Sequence, residues 1–325
     1  MCLARFHLLT CVALVLLLSA CALAPSERSE QHFVPALDLR AVELAREGLS
    51  YLSEDRYIDA ESRLRQALYL APNAQNLRLN LAVALEGNAQ FDQAAQILEP
   101  LARVIDKKPP TDIFFRLAHL AAAQEHWDVA EKRYQQILDS AEETRDFVTA
   151  AKAANGLFTI SRRLGRQRET LCCAYLLCVL KNDLPSAYEY ARLLVQYDQP
   201  QAAESFISAF ATDHNLLQEP RVTHLHSLIS LARGQLKEAF ESESQLLREG
   251  NLDTSLMREA RLVRLAASTD PAVAATLDDK AKEQLKLIWE EIGPSVDLGN
   301  KEVQTWPGRM VEAIEGLIAA TAEDS

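Results

Sequence analysis

Apolar residues recur at helical spacing from Ala41 almost to the end of this chain, with scarcely any of the strict alternation that marks a strand, and small residues interrupt them at regular intervals. The first such stretch carries Gly48, Tyr51, Tyr57, Ala60, Leu64, Ala67 and Pro72. Two antiparallel helices cross closely only where the side chains between them are small. Gly48 and Ala60 are therefore expected at a crossing, with Tyr51, Tyr57 and Leu64 filling the gaps alongside and Pro72 ending the second helix. The constellation returns at Ala82, Phe91, Ala94 and Leu98, at Ala118, Trp127, Ala130 and Tyr134, and at Ala191, Ala203 and Ile207, with a poorer version at Ser227, Gly234, Leu236 and Ala239. The small residues of successive second helices are then Ala60, Ala94, Ala130, Thr170, Ala203 and Ala239, separated by 34, 36, 40, 33 and 36 residues. A 34-residue unit with loop insertions accounts for these steps, the longest insertion falling near Ser140 to Arg145. The unit around Phe158 is degenerate, because Thr170 stands where alanine is expected and only Gly165 looks typical. Pro200 fits the first turn of a helix, where no intrahelical donor is lost.

This period and these residue types resemble the tetratricopeptide repeat, over about Ala41 to Gly250. The resemblance implies an all-α chain wound as an α-α superhelix. Because each repeat buries its apolar face only against its neighbours, the array needs a cap, and Ser255 to Ala267 and Ala272 to Ile292 are amphipathic stretches suited to that role. The expected organisation is a leader over 1–20, an anchored tether over 21–40, the repeat array over 41–250, and a helical cap and tail over 251–325. Gly293 to Asn300 breaks the helical pattern, and Trp306-Pro-Gly-Arg309 is a turn. Beyond it Val311, Ile314, Leu317 and Ile318 share one face, as expected for a last helix folded back on the array rather than held out for a partner.

The N-terminus carries a second signature. Arg5 precedes an apolar run from Leu8 to Leu18, and Leu18-Ser-Ala-Cys21 follows directly. The run is shorter than the roughly 20 residues a membrane-crossing helix needs, and it has the form of an export signal. Leu18 to Cys21 resembles the lipobox of bacterial lipoproteins. That resemblance implies cleavage before Cys21, acylation of its thiol and usually of its new amino group, and hence a membrane anchor. Ala22, in place of an aspartate that favours inner-membrane retention, points to the periplasmic face of the outer membrane. Ala22 to about Pro35 has too little apolar content to pack and reads as a tether, about 20 Å long on average as a coil and about 45 Å fully extended.

The net charge of −12 argues against nucleic acid or an anionic lipid surface as the main partner, since both select clustered Lys and Arg. Three cysteines follow Cys21: Cys172, Cys173 and Cys178. Their closeness on one helix is poor geometry for a disulfide, no His or acidic residue lies at ligand spacing, and they are expected as small apolar residues in a helix core. Phosphate loops, zinc-binding His-Glu-x-x-His and the Gly-x-Ser-x-Gly elbow are all missing from the sequence, so no enzyme, cofactor, metal or small-molecule substrate is expected. His224 and His226 flank a leucine and point apart on a helix, and a repeat boundary separates His119 from His126; all are expected as ordinary surface histidines.

In tetratricopeptide arrays the first helix of each repeat lines a concave groove. By that resemblance the groove here presents Leu49, Leu52, Leu79, Val83 and Phe115 at an apolar end. Its basic end presents Lys152, Asn155, Arg162, Arg163, Tyr188, Arg192, Arg221 and His224, either a strip suited to the carboxylates of an acidic partner segment or a solvated face of arginines balanced by neighbouring glutamates. The lysine and asparagine clamp that some eukaryotic arrays use for a terminal carboxylate is missing at Ala45, Leu49, Leu79 and Val83. The resemblance therefore implies a protein-binding scaffold in cell-envelope assembly, with pilus, secretion, outer-membrane or exopolysaccharide machinery as clients. The alternatives are an adaptor that recruits a peptidoglycan hydrolase or protease, and an enzyme whose site is assembled across the array and Gly293 to Arg309.

Overall fold

The computed structural model describes residues 39–102, 111–250, 252–299 and 306–323; the leader, Cys21 and the tether lie outside them. Among the described residues the chain is all-α. Its helices are α1 (Leu39–Ser53), α2 (Tyr57–Leu70), α3 (Gln75–Gly87), α4 (Phe91–Ala102), α5 (Thr111–Ala123), α6 (Trp127–Thr144), α7 (Phe147–Arg163) and α8 (Gln167–Lys181). They continue with α9 (Leu184–Gln196), α10 (Pro200–Asp213), α11 (Pro220–Ala232), α12 (Leu236–Glu249), α13 (Thr254–Ser268), the short α14 (Pro271–Ala274), α15 (Asp279–Ile292) and α16 (Gly308–Glu323). The chain forms two compact units, residues 1–160 and 161–325, the division falling near the end of α7.

Helices α1 to α12 alternate along the chain as first and second helices of six repeats, and the fourth residue of every second helix is the small one picked out by the period. Ala60, Ala94, Ala130, Ala203 and Ala239 are 0% exposed and Thr170 is 1% exposed. Thr170 keeps the register because its hydroxyl donates back to the carbonyl of Arg166 at 2.9 Å, which satisfies the one polar atom a threonine adds to the crossing. The first crossing is as tight as the sequence demands: a Cβ added to Gly48 would sit 2.7 Å from Leu64 Cγ.

The turn inside each pair is built the same way six times. Five positions before the small residue stands a residue in the left-handed region: Asp55, Ala89, Glu125, Gly165, Asp198 or Gly234. The next residue then donates its N–H to the carbonyl five positions back: Arg56 to Tyr51, Gln90 to Leu85, His126 to Ala121, Arg166 to Ser161, Gln199 to Leu194 and Gln235 to Ser230, at 2.8–2.9 Å. This closes the first helix with a Schellman bond just before the second begins. Glycine serves this place only in the fourth and sixth pairs.

Two sequence expectations are corrected here. The extra residues near Ser140 to Arg145 are not a loop: α6 runs unbroken through Ser140 to Thr144 and stops at Arg145, whose φ is 56°, so the longest repeat is lengthened within its helices, α6 having 18 residues and α7 having 17. Ala272 to Ile292 is not one helix either. Asp270 caps α14, accepting from Ala272 N at 2.8 Å, and Asp278 caps α15, accepting from Ala281 N at 2.7 Å.

In the first unit the core gathers the inner faces of α1 to α5 around Leu64, Leu81, Leu85 and Leu98, with a second cluster joining α5, α6 and α7 through Ala118, Tyr134, Ala153 and Ile160. In the second unit one cluster runs from Ala191 through Ile207, Leu225 and Val263 to Ile292, Trp306, Met310 and Ile314. Its last members settle the tail: α16 folds back and packs on α11 and α13, with Met310 and Ile314 fully buried.

Candidate binding surfaces

In the first unit, Leu79 and Val83 lie one helical turn apart on α3, and Phe115 faces them from α5, the first helix of the next pair. Together they line an open cleft of about 510 Å³ whose polar rim includes Asn80, Glu86, Asp112, Arg116 and His119. Phe115 is held by the ring of Tyr134 at 6.3 Å, and His119 meets the same ring edge-on at 6.0 Å. Across the rim Arg116 donates to Glu86 at 2.5 Å. Burial pushes the Glu86 carboxyl up and Arg116 opposes that shift. The apolar positions read from the sequence at Leu79, Val83 and Phe115 thus converge, while Leu49 on α1 is exposed and Leu52 is half-buried.

The arginines expected at a basic end occupy the second unit, and each of three faces a carboxylate. Arg162 pairs with Glu189 at 3.2 Å, Arg192 with Glu259 at 3.0 Å, and Arg221 with Asp253 at 3.1 Å. Arg163 is exposed and Tyr188 is largely buried on α9; burial pushes the Tyr188 hydroxyl up, out of the range in which it ionises. The strip is therefore a set of charge pairs rather than a run of uncompensated cations. Lys152 and Asn155 are exposed on α7.

His224 corrects two expectations at once, being neither an exposed groove residue nor a surface histidine. It is 0% exposed, donates from Nδ1 to Glu243 Oε1 at 2.6 Å, and presents Nε2 to Glu259 Oε2 at 3.4 Å. Burial opposes its charge, but the two carboxylates outweigh burial and raise its pKa to about 9. Glu259 is itself held below the usual carboxylate range, His224 and Arg192 overcoming its desolvation. Two cations and two anions thus meet among α9, α11, α12 and α13 with no net charge, the condition under which a buried ionic cluster is tolerated. One signal for it was present in the sequence: Glu243 falls on the buried stripe Ala239, Glu243, Leu246 of α12, a place where an acidic residue needs a buried partner.

The cysteines divide. Cys178 is buried, and burial raises its thiol pKa, but Cys173 is half-buried and Cys172 is exposed, so α8 does not hide all three in its core. His119 and His126 are exposed and lie on either side of the turn inside the third pair, not across a repeat boundary. No group of three His, Cys, Asp or Glu side chains is placed to hold a metal among the described residues.

With this geometry in view, residues 51–110 match the tetratricopeptide repeat family, a protein-interaction fold, over the end of α1 and the helices that build the first side of the cleft. Solved structures similar to this chain include a tetratricopeptide repeat protein from Parabacteroides merdae, 14% identical, covering 69% of this chain and 99% of that one with a TM-score of 0.32. A thermophilic repeat protein from Thermus thermophilus, TTC0263, is 15% identical and covers 69% and 98% with a TM-score of 0.26. The repeat domain of P58(IPK) is 12% identical and covers 88% and 99%, also with a TM-score of 0.26. No curated protein matches the chain.

Proposed function

We propose that this chain is a lipid-anchored repeat scaffold of the cell envelope, tied to the periplasmic face of the outer membrane through Cys21, that holds a segment of a partner protein in the cleft of its first unit. The observation that carries the reading is the convergence of Leu79, Val83 and Phe115 from successive first helices onto one open cleft with a polar rim. Such a surface binds by inserting an apolar side chain between fixed helices, and the rim supplies orientation. The anchor rests on Leu18 to Cys21.

The test is photocrosslinking in intact cells from a position on the cleft rim, followed by identification of what is captured. Integral membrane subunits are the expected catch; a soluble hydrolase or protease would instead make the chain an adaptor. Phe115→Ala is expected to weaken capture at every salt concentration, because an apolar contact is not screened. Undiminished capture by Phe115→Ala removes the cleft from the account. Replacement of Cys21 by serine is expected to abolish fatty-acid labelling, and label persisting in that variant removes the anchor.

A further inference from the structure

We infer that Arg248 and Arg264, set over the ring of Phe240, form a binding site for a phosphate-monoester dianion. Arg264 lies on α13, with its guanidinium carbon 5.0 Å from the centroid of the Phe240 ring on α12. Its Nε is buried without an acceptor, and among the described residues no carboxylate pairs with it. Arg248, in the last turn of α12, folds back along the helix, its Nε donating to the Ser244 carbonyl at 3.0 Å, while the Ser244 hydroxyl donates to the Phe240 carbonyl one turn earlier at 2.6 Å. Phe240, Ser244 and Arg248 thus share one stripe of α12, and the two arginines meet on it from adjacent helices. Arg248 is close enough to act on Arg264: burial first, and then that like charge, lower the Arg264 pKa, and no acid opposes them.

Other arginines of the second unit are answered, which sets this pair apart. Arg192 faces Glu259, Arg221 faces Asp253, Arg233 faces Glu204 and Arg261 faces Glu291. The acids of α12 and α13 are engaged elsewhere: Glu238 beside His226, Glu241 at 3.9 Å from Lys237, Glu243 and Glu259 on His224, and Glu249 accepting from Gln245 at 3.0 Å. The repeat shows what is missing. The residue after the small one is Glu61 in α2, which accepts from Asn88 and Gln90, and Glu204 in α10, which pairs with Arg233. In α12 that place is held by Phe240, which offers a cation the face of a ring but no counter-charge.

Charge selects the ligand. Two cations held side by side, one of them partly buried, repel each other until an anion joins them. A guanidinium pairs with an oxyanion through parallel N–H bonds, at the edge that its stacked face leaves free. A carboxylate would bring one negative charge to a site with two positive ones. A phosphate monoester brings close to two at neutral pH in a single compact group, and so answers both arginines at once. The ring of Phe240 backs the site, fixing the plane of Arg264 before the ligand arrives. The source of the phosphate is a soluble ester or free phosphate on one side and a lipid headgroup on the other, and the chemistry is the same for both.

The test is titration of the full chain carrying Cys21→Ser with inorganic phosphate and with glycerol 3-phosphate at constant ionic strength, read by calorimetry and by phosphorus NMR. Sedimentation on vesicles of phosphatidylcholine, with and without phosphatidic acid, separates the two sources. Saturable phosphate binding is expected, weakened about tenfold or more by Arg264→Gln and also by Arg248→Gln, whose exposed side chain leaves the core untouched. Arg221→Gln, which removes an arginine already paired, is expected to leave binding unchanged, as is Phe115→Ala in the cleft, so the outcome is independent of the scaffold reading. Binding to phosphatidic acid vesicles that falls with Arg264→Gln and Arg248→Gln supports the site with lipid as its source; saturable binding of the soluble ester with no gain on those vesicles supports it with a soluble source. Circular dichroism checks that each variant keeps its helices. Absence of saturable binding, binding unaltered by Arg264→Gln and Arg248→Gln, or acetate bound as tightly as phosphate overturns the inference.

Discussion

Replacing Ala89 by glycine tests the turn between the first and second helices of the repeats. Ala89 has a φ of 57°, in the region where an L-residue's Cβ crowds the backbone at a cost of about 1–2 kcal/mol. Glycine removes that cost and brings back about 0.5–1 kcal/mol of unfolded-state entropy, so Ala89→Gly is expected to stabilise by about 0.5–1 kcal/mol. The reciprocal change sits in the equivalent turn two pairs later. Gly165 has a φ of 67°, and a Cβ added there has no neighbour within 4 Å, so Gly165→Ala alters backbone conformation without any clash and is expected to destabilise by a similar amount. Equilibrium urea titration followed by circular dichroism measures both. Because repeat arrays unfold with nearest-neighbour cooperativity, the quantity to compare is the shift of the transition that contains the substituted pair, not a single global midpoint. A loss of stability in Ala89→Gly, or no effect of Gly165→Ala, would refute the claim that these turns share one left-handed geometry.

Ala94→Leu, at a 0% exposed crossing between helices, is expected to cost about 1–3 kcal/mol by overpacking, whereas Gln93→Leu on the exposed side stays within about 0.5 kcal/mol; thermal melts that treat the two alike would displace the repeat register. The buried cluster predicts a pH dependence. His224 has a folded pKa of about 9 against an ordinary value of 6.5, so its contribution is fully present below about pH 6.5, declines above it and is gone once the pH has risen through about 9. Urea midpoints of the second unit are therefore expected to fall across that window, and Glu243→Gln is expected to remove most of the alkaline slope along with part of the stability. A slope that persists in Glu243→Gln would assign it to another group.

What the sequence revealed and what it hid follow from the range over which each feature is determined. The crossings at Ala60, Ala94, Ala130, Ala203 and Ala239 were legible because a small residue among large ones is a local demand of helix packing, and the period then carried Thr170 into place despite its type. The cleft residues were also placed by the period, Leu79 and Val83 a turn apart on α3 and Phe115 on α5, the next first helix. The turns were half-legible. Gly165 and Gly234 announce a left-handed residue, but Asp55, Ala89, Glu125 and Asp198 adopt the same conformation because the two helices they join impose it, and the cost is met by packing elsewhere.

The charges were harder to read because their compensation is not local. Within a single helix, Arg192 and Arg221 look like uncompensated cations and His224 like a surface residue. Their partners lie on other helices: Glu259 is 67 residues from Arg192, Asp253 is 32 from Arg221 and Glu243 is 19 from His224, while several further pairs fall near one repeat. Arg162 and Glu189 are 27 residues apart, Arg116 and Glu86 are 30, Arg221 and Asp253 are 32, and Arg133 and Glu99 are 34. Each separation is close to one repeat, because equivalent helices of adjacent pairs lie side by side and bring equivalent surface positions into reach. The net charge of a groove in such a chain is therefore a property of the sequence laid out in rows of about 34 residues, read down the columns. Read that way, the strip of arginines is closed by Glu189, Asp253 and Glu259.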